Sequence, residues 1–486
     1  MVRLERPVLS MNAPADAEAD WHALDERPVP TWFQDAKFGI FIHWGLYSVP
    51  SWAPLEGHAA LRYAEWYWHS LTTGKSLPEG SPDRATWRFH QRVYGVTFAY
   101  EDFAPLFRAE LFDSEQWAEI LRAAGARYVV LTSKHHDGFA LWPSAEASKT
   151  WGRAWNSTET GPKRDLVGDL TDAVRKKGLR MGLYYSLYEW YNPLWTADRT
   201  RYVREHMHPQ FKDVVARYEP SVIFADGEWE LTSAEWRSTE LLKWLFEEPP
   251  SKDEVVVNDR WGSKTRHAHG GYWTTEYTAG MSSLKHAWEE SRGIAYSYGY
   301  NRAERAEDYK SSRELILMLA DIVSRGGNLL LGIGPTADGR IPVIMEQRLL
   351  DVGKWLFVNG EAIYSTRPWQ HSRQWSTGEL PQLEYDKEFM AAYDILKMVE
   401  PSRDGSAAIE AFFTCNNEAV FAILPRWQTG RFAFEGIAAE SVKSIVLLGE
   451  NRPLTFQGTA DGISIDLPVI SGSLLAQPAW VLKFSP

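Results

Sequence analysis

The sequence is poor in the features that mark several protein classes. One cysteine, Cys415, stands among 486 residues, which excludes an intrachain disulfide and a cysteine-based metal cluster. No apolar run approaches the roughly 20 residues of a membrane-spanning helix, and the first residues lack the apolar stretch of a secretory signal. A net charge of −12 disfavours nucleic acid and anionic membranes as partners. We therefore expect a cytoplasmic globular protein with neither partner.

The first three quarters of the sequence alternate short apolar strands with amphipathic helices. Strand-like segments lie at 38–45, 128–134, 180–186, 221–227, 255–259 and 328–335, and helical spacing fills 114–127, 166–178, 201–220 and 307–327. Near-continuous apolar strands separated by helices predict a parallel sheet. About eight such units favour a (β/α)8-like TIM barrel. An open doubly wound sheet would need an early glycine-rich phosphate loop, which the sequence lacks.

The pattern changes towards the C-terminus. Strand-like segments separated by Gly, Pro, Asn and Asp recur at 418–424, 441–449, 462–468 and 479–484, a spacing typical of an all-β domain. We therefore predict a disordered or extended N-terminal lead-in over 1–30, a barrel carrying the functional site over 31–362, and a C-terminal β-sandwich over 363–486.

Polar side chains follow five of the predicted strands, at the end where a parallel barrel places its functional site. In chain order they are His43, His135, His136, Asp137, Tyr184, Tyr185, Ser186, Asp226, Asn258, Asp259 and Arg260. A single polar residue at a strand end carries little information. Recurrence after five strands favours one shared site.

Asp226 stands in FADG, after an apolar run and before a glycine. Asp-Gly is also a favoured turn pair, so a turn and a reactive carboxylate are both open interpretations. Glycoside hydrolysis needs two carboxyl groups flanking one bond. Glu276 in WTTEY, and Glu289 or Glu290 in HAWEES, are candidates for the second. A solvated loop or helix start is the alternative for each.

A metal site is the alternative use of His43, His135 and His136. Adjacent residues of an extended strand point to opposite faces, and the sequence contains no HxH, HExxH or cysteine pair with ligand spacing. We therefore expect no metal and no cofactor. The 24 tryptophans favour a sugar site instead, because aromatic rings stack on the apolar faces of sugars.

The segments around these residues resemble the α-L-fucosidases of glycoside hydrolase family 29. They occur in the family's order over about residues 30–345. The matching segments are WFQDAKFGIFIHWGLYSVPSW (32–52), YAEWY (63–67), YVVLTSKHHDGFALWPS (128–144), GLYYSLYEW (182–190), SVIFADGEW (221–229), NDRWG (258–262), WTTEY (273–277), WEESRGIAYSYGYN (288–301) and LLLGIGPTADGRI (331–341).

The resemblance implies a barrel with a C-terminal β-sandwich and a retaining, two-step mechanism without a metal. Asp226 resembles the nucleophile and Glu276 the acid/base, with Glu289 as the second candidate for that role. The residues that resemble those bonding the fucose hydroxyls are His43, Glu65, His135, His136, Tyr185 and Arg260. Those that resemble the aromatic wall around the fucose methyl group are Phe41, Trp66 and Tyr298.

The leading hypothesis is an exo-acting α-L-fucosidase whose partner is a fucosylated glycan or oligosaccharide. A retaining glycosidase for another sugar, such as an α-L-galactoside, is the alternative enzyme. An inactive fucose-binding protein is the alternative outside enzymes, and the presence of both carboxylates argues against it. The sequence is compatible with an oligomer but does not specify one.

Overall fold

The computed structural model describes residues 15–282, 286–401, 405–450, 452–472 and 474–486. Its larger part is a curled sheet of eight parallel strands, in the order β5-β4-β3-β2-β1-β8-β7-β6. A hydrogen bond of 2.9 Å from Tyr272 N to Val257 O links the two edges. The strands are β1 (Phe38–Ile42), β2 (Tyr128–Lys134), β3 (Arg180–Ser186), β4 (Val222–Asp226), β5 (Val256–Val257), β6 (Trp273–Glu276), β7 (Trp288–Gly293) and β8 (Asn328–Ile333). The predicted barrel-like fold is confirmed.

Strands β6 and β7 exclude one alternative interpretation of the sequence. A solvated loop or a helix start is that alternative for the segments that contain Glu276, Glu289 and Glu290. They pair as parallel strands instead, with Thr274 opposite Glu289 and Glu276 opposite Ser291. Strand β7 is fully buried, whereas in β6 only Thr274 and Thr275 are buried and Trp273 and Glu276 are partly exposed. The glutamates of both strands have partners inside the protein.

Helices lie between the strands and cover the sheet. In α7, Leu166, Leu170 and Val174 are buried at a spacing of four, the signature of one apolar face. None of the helices within the described ranges is long and apolar enough to cross a membrane. The helices are α1 (Ala15–Asp25), α2 (Thr31–Ala36), α3 (Tyr67–Ser76), α4 (Ala85–Val93), α5 (Ser114–Ala123), α6 (Ala145–Trp151), α7 (Leu166–Lys176), α8 (Pro193–Ala197), α9 (Arg199–Tyr202), α10 (His208–Tyr218), α11 (Ser233–Trp236), α12 (Ser238–Glu247), α13 (Ser312–Ser324), α14 (Val343–Asn359) and α15 (Ile395–Val399).

Helix α1 corrects the prediction that residues 1–30 are disordered or extended. Trp21 is buried and stacks on the His269 ring at 4.9 Å, and Asp20 forms an ion pair with Lys243 of α12. These contacts with distant residues stabilise a helix that composition alone does not indicate. Residues 1–14 of the predicted lead-in lie outside the described residues.

Alternate residues of the strands fill the barrel. Phe41, Val130, Tyr184, Phe224 and Leu330 belong to one buried cluster inside it. Because side chains alternate between the two faces of a strand, residues two positions further along point into the same space. At the carboxyl ends of the strands, that space becomes the candidate site.

The C-terminal part contains two antiparallel sheets, ordered β14-β13-β17-β11-β10-β9 and β12-β16-β15. Phe413, Leu424, Ile463, Ile465 and Phe484 belong to their shared core. The predicted β-sandwich is confirmed, whereas its boundary after residue 362 stays a prediction. The strands are β9 (Arg367–Trp375), β10 (Ile409–Cys415), β11 (Val420–Leu424), β12 (Gly430–Glu435), β13 (Ser444–Leu447), β14 (Arg452–Pro453), β15 (Phe456–Gly458), β16 (Gly462–Leu467) and β17 (Trp480–Ser485).

Candidate active site

A narrow chamber lies at the carboxyl ends of the barrel strands. It brings together nine residues predicted from the sequence. It is lined by Phe41, His43, Tyr63, Glu65, Trp66, His135, Tyr184, Phe224, Asp226, Arg260, Glu276, Ser291 and Tyr298. The chamber opens into a wider cavity of about 490 Å³, and Tyr63, Trp66, Asp226, Arg260 and Glu276 line both. This is the geometry of a site that holds one small group deep inside and a larger one outside.

Asp226 is the last residue of β4 and one of two carboxylates at the boundary between the chambers. Its Oδ2 accepts a hydrogen bond from the Tyr184 hydroxyl at 2.8 Å, and its Oδ1 accepts one from Arg260 Nη1 at 2.9 Å. Burial opposes ionisation, but Arg260, His136 and Arg266 outweigh it and hold the pKa of Asp226 well below its usual range. Asp226 is therefore an ionised carboxylate aimed at the chamber.

Glu276 ends β6 and is the second carboxyl group at this boundary. Arg260 Nη2 donates to Glu276 Oε2 at 3.1 Å, so one guanidinium contacts both acids. Burial raises the pKa of Glu276, and the nearby Asp226 charge adds to the rise, although Arg260 opposes it. Opposite pKa shifts in a carboxyl pair are typical of an acid and a nucleophile in one site.

His43 and His135 line the chamber as neutral imidazoles. Burial lowers the pKa of His43 to about 3 and that of His135 well below its usual range. Among the described residues, neither Nδ1 atom has a hydrogen-bond partner. Buried polar atoms are rarely left unpaired, so both rings are suited to bond hydroxyl groups of a ligand.

His136 lies beside Asp226 rather than in the chamber lining. Its Nδ1 is 2.6 Å from the Ser186 hydroxyl, and Ser186 donates its only proton to Tyr188 O at 2.5 Å. His136 Nδ1 must therefore be the donor, which leaves Nε2 directed at Asp226 Oδ2, 3.5 Å away. The ring is fixed in orientation by this chain of bonds.

Glu65 and Tyr63 come from the loop after β1. Glu65 accepts hydrogen bonds from Gly299 N at 2.9 Å and from the Ser297 hydroxyl at 3.0 Å, and burial raises the pKa of Glu65 to about 7. The buried Tyr63 hydroxyl has no partner in the described part of the chain. Tyr63 was not predicted as a site residue, and its loop carries no strand signal that could place it there.

The structure does not bring the predicted site residue Tyr185 into the chamber. Its neighbour Tyr184 lines the chamber instead. Tyr185 points away from the chamber and donates to Gln210 Oε1 at 2.8 Å. Tyr184 is paired with Phe224 across β3 and β4, so it shares the inward face of Phe224 and Asp226. Adjacent strand residues point to opposite sides, and the register decides which tyrosine enters the chamber.

Glu289 and Glu290 lie away from the chamber boundary. Glu289 is two residues before Ser291 in β7 and lies one layer deeper in the barrel, where the Tyr128 hydroxyl donates to Glu289 Oε2. Burial raises the pKa of Glu289 to about 8. Glu290 faces the other side of β7 and pairs with Arg292. The geometry therefore favours Glu276 as the second carboxyl group.

Asp137 shapes the turn after β2. Its carboxylate accepts hydrogen bonds from the Tyr100 hydroxyl at 2.8 Å and from Phe139 N at 3.1 Å. Within the described ranges, no group of three or more His, Cys, Asp and Glu side chains is placed to hold a metal ion.

A buried ionic network supports the turn that carries His135 and His136. Glu189 is fully buried, and Lys134 Nζ and His206 Nε2 each lie 2.7 Å from its Oε1. Trp151 and Asn192 donate to its Oε2 at 3.0 and 2.6 Å. Glu189 thus joins the end of β2 to the loop after β3.

Replacing Glu189 by glutamine is expected to destabilise the protein by about 3–5 kcal/mol, because it leaves the Lys134 ammonium buried without its counter-charge. Thermal unfolding of the purified variant measures this change. Glu205→Gln is the matched control, since the Arg201–Glu205 pair is half exposed on the surface, and it should leave the midpoint unchanged. Equal midpoints for Glu189→Gln and wild type would contradict a stabilising role for the network.

Two family models match the chain. The α-L-fucosidase model matches residues 7–361, and the α-L-fucosidase C-terminal domain model matches residues 406–485. The chain belongs to the α-L-fucosidase family. It is therefore a glycoside hydrolase with α-L-fucosidase activity, as the resemblance of the motifs implied.

Curated α-L-fucosidases are similar to this family member over much of its length. The enzyme of Dictyostelium discoideum is 47% identical over 359 residues, covering 72% of this chain and 74% of that protein. Tissue α-L-fucosidase of Homo sapiens is 40% identical over 477 residues, covering 96% and 91%.

Solved α-L-fucosidase structures share the fold of this chain. The Thermotoga maritima α-fucosidase in complex with fucose has a TM-score of 0.74 and 34% identity, and the match covers 96% of this chain and 99% of that one. The α-L-fucosidase isoenzyme 1 of Paenibacillus thiaminolyticus has a TM-score of 0.70 and 24% identity, over 93% and 97% of the two chains.

Proposed function

We propose that the chain releases terminal α-L-fucose from fucosylated glycans or oligosaccharides by a retaining double displacement. The observation that carries this proposal is the pair of carboxyl groups, of Asp226 and Glu276, that Arg260 contacts. Asp226 is ionised and Glu276 has a raised pKa, and both line the boundary between the chambers. These are the two protonation states that a retaining glycosidase needs on either side of the scissile bond.

In the first step, Asp226 is the nucleophile and Glu276 the general acid. An Asp226 oxygen attacks the anomeric carbon while Glu276 gives its proton to the leaving oxygen, so the glycosidic bond breaks as the carbon–carboxylate bond forms. The Tyr184 hydroxyl and Arg260 hold the attacking carboxylate in position.

In the second step, Glu276 is ionised and acts as the general base. It removes a proton from water as the water oxygen attacks the anomeric carbon and Asp226 leaves. Two inversions at one carbon give net retention of the α configuration. Glu276 lines the outer cavity as well, which is the side from which water enters.

The inner chamber binds the fucose ring in this proposal. His43, His135 and Glu65 contact its hydroxyls, with His136, Arg260 and Tyr184 around the reacting end. Phe41, Trp66 and Tyr298 form the apolar wall for the ring and its methyl group, and Tyr298 stacks on His43 at 4.7 Å. Because the barrel interior closes the chamber below, only a terminal residue fits, which makes the action exo.

The cytoplasmic location of the chain stays a prediction from its sequence.

A comparison of two aryl glycosides tests the proposed function. The chain should hydrolyse 4-nitrophenyl α-L-fucoside faster than the α-L-galactoside by about 10–100-fold in kcat/KM, because an apolar wall rejects an added hydroxyl only moderately. Proton NMR of the first product should show α-L-fucose before mutarotation. Faster galactoside hydrolysis would favour the alternative sugar, and β-L-fucose as first product would contradict retention.

A further inference from the structure

The outer cavity carries two exposed aromatic side chains that the proposed mechanism does not use. Trp229 is 41% exposed and Phe389 is 42% exposed, and both line the cavity that opens from the chamber. Trp229 follows Asp226 by three residues, whereas Phe389 comes from the C-terminal part, between β9 and α15. Two parts of the fold that are distant in sequence thus place aromatic surface at one opening.

Backbone hydrogen bonds hold the segment around Phe389 against the end of β6. Glu276 N donates to Glu388 O at 3.1 Å, and Met390 N donates to Glu276 O at 3.0 Å. Asp386 N donates to Gly280 O at 3.0 Å, and Ser282 N donates to the Asp386 carboxylate at 2.8 Å. The bonds to Glu276 come from both sides of Phe389. The backbone of Phe389 is therefore fixed relative to that of Glu276.

The outer cavity also contains an unsatisfied acceptor. Glu228 is buried in its wall, and its Oε1 accepts from Arg266 Nε at 2.7 Å. Its Oε2 has no hydrogen-bond partner among the residues that the structure describes. Such an atom is suited to accept a hydrogen bond from a hydroxyl group of a ligand.

We propose that Phe389 and Trp229 form the binding site for the sugar ring to which fucose is attached, and that Glu228 is a hydrogen-bonding group of this site. The proposal rests on the proposed function, because Glu276 must face the oxygen that leaves with that sugar. Glu276 lines both spaces, so a fucosyl group in the inner chamber directs its leaving group into the outer one. The C-terminal part then contributes directly to substrate selection.

The chemistry of the cavity fits a pyranose ring better than a simple alcohol or an aryl group. A pyranose presents apolar C–H faces to aromatic rings and hydroxyls to acceptors around its rim. Phe389 and Trp229 offer the first kind of surface, and Glu228 and the Lys264 ammonium offer polar groups. Trp229 also contacts His136 and Trp66, with ring centroids 5.2 and 6.0 Å apart, which places it next to the fucose chamber.

The test compares a substrate that carries a leaving sugar with one that does not. Wild type, Phe389→Ala and Trp229→Ala are assayed on the better hydrolysed of 2′- and 3-fucosyllactose and on α-L-fucosyl fluoride. For each variant, the ratio of kcat/KM on fucosyllactose to kcat/KM on the fluoride should fall about tenfold, since one aromatic contact is lost. Phe389→Leu, which retains an apolar side chain, should give a smaller fall.

The matched control is Phe357→Ala, because Phe357 is 92% exposed on helix α14. It should leave both rates as in wild type. An equal loss on both substrates would assign Phe389 to folding or to the fucose chamber, and no loss on either would remove it from the site. A displaced Glu276 would also spare the fluoride, but it would lower kcat/KM for methyl α-L-fucoside, which needs a proton donor and carries no leaving sugar, as much as for fucosyllactose. Each of these results overturns the proposal. Wild type that hydrolyses neither substrate would instead contradict the proposed function itself.

Discussion

Replacing Asp226 by glycine is expected to lower kcat for 4-nitrophenyl α-L-fucoside by about 10⁴-fold or more, because the covalent step then has no nucleophile. Arg260 and the Tyr184 hydroxyl remain, so the chamber keeps its shape while it loses the carboxylate that they hold. Initial rates on the aryl fucoside measure the effect. A kcat within tenfold of wild type would contradict the assignment of Asp226.

Azide distinguishes a lost nucleophile from a lost fold. In Asp226→Gly the small anion should enter the space of the missing carboxylate and attack the anomeric carbon directly, which gives β-L-fucosyl azide. The matched control is Asp338→Gly, because Asp338 stands in the same Ala-Asp-Gly tripeptide but pairs with Arg340 on a surface turn. Its kcat should stay within about threefold of wild type.

Replacing Glu276 by alanine is expected to lower kcat/KM for fucosyllactose by about 10²–10⁴-fold, the usual contribution of a general acid. The loss on α-L-fucosyl fluoride should be much smaller, because fluoride leaves without a proton donor. With the fluoride as substrate, azide should restore turnover and give retained α-L-fucosyl azide, since Asp226 still forms the intermediate. A similar loss on both substrates, without rescue, would contradict the acid/base role.

The pH dependence of kcat/KM follows from the opposite pKa shifts of the two carboxyl groups. The acid form of Glu276 is the active one, so the rate falls as pH rises through the pKa of Glu276, and its raised pKa extends activity towards neutral pH. The ionised form of Asp226 is required, and its depressed pKa preserves activity to low pH. On α-L-fucosyl fluoride, which leaves without a proton donor, the alkaline decline should be much weaker than on fucosyllactose. A decline of equal size on both substrates would assign it to Glu65 instead.

Glu289→Gln is the matched control for the second carboxyl group. Burial raises the pKa of Glu289 to about 8, so this side chain is mostly protonated at neutral pH and glutamine resembles it in shape and charge. The variant should keep kcat/KM within a few-fold of wild type and retain the alkaline decline. Loss of the decline in this variant would transfer the acid/base role to Glu289.

Much of the barrel could be predicted because its strands are nearly continuous apolar runs. The place of Asp226 after such a run left a turn and a reactive carboxylate both open, and the resemblance to the family favoured the carboxylate. The identical tripeptide around Asp338 lies in a turn beyond β8. Strands β6 and β7 were missed because Glu276, Glu289 and Glu290 interrupt the apolar pattern. Their carboxyl groups are hydrogen-bonded inside the protein, to Arg260 after β5, to Tyr128 of β2 and to Arg292 of β7 itself.

Two features of the site could not be predicted because they depend on tertiary contacts. Tyr184 and Tyr185 are adjacent in one strand, and only the pairing of Tyr184 with Phe224 shows which one faces inwards. The segment around Phe389 has no periodic pattern and lies more than 100 residues after Glu276. Its contact with β6 arises only when the C-terminal part folds back on the barrel.

Trapping of the glycosyl-enzyme tests the central claim most directly. The chain is incubated with 2-deoxy-2-fluoro-α-L-fucosyl fluoride, whose fluorine at C2 slows the second step, and is then digested with pepsin and sequenced by mass spectrometry. The account predicts one 2-deoxy-2-fluorofucosyl group, attached through an ester to Asp226. A label on another residue, such as Glu276 or Glu289, would contradict it.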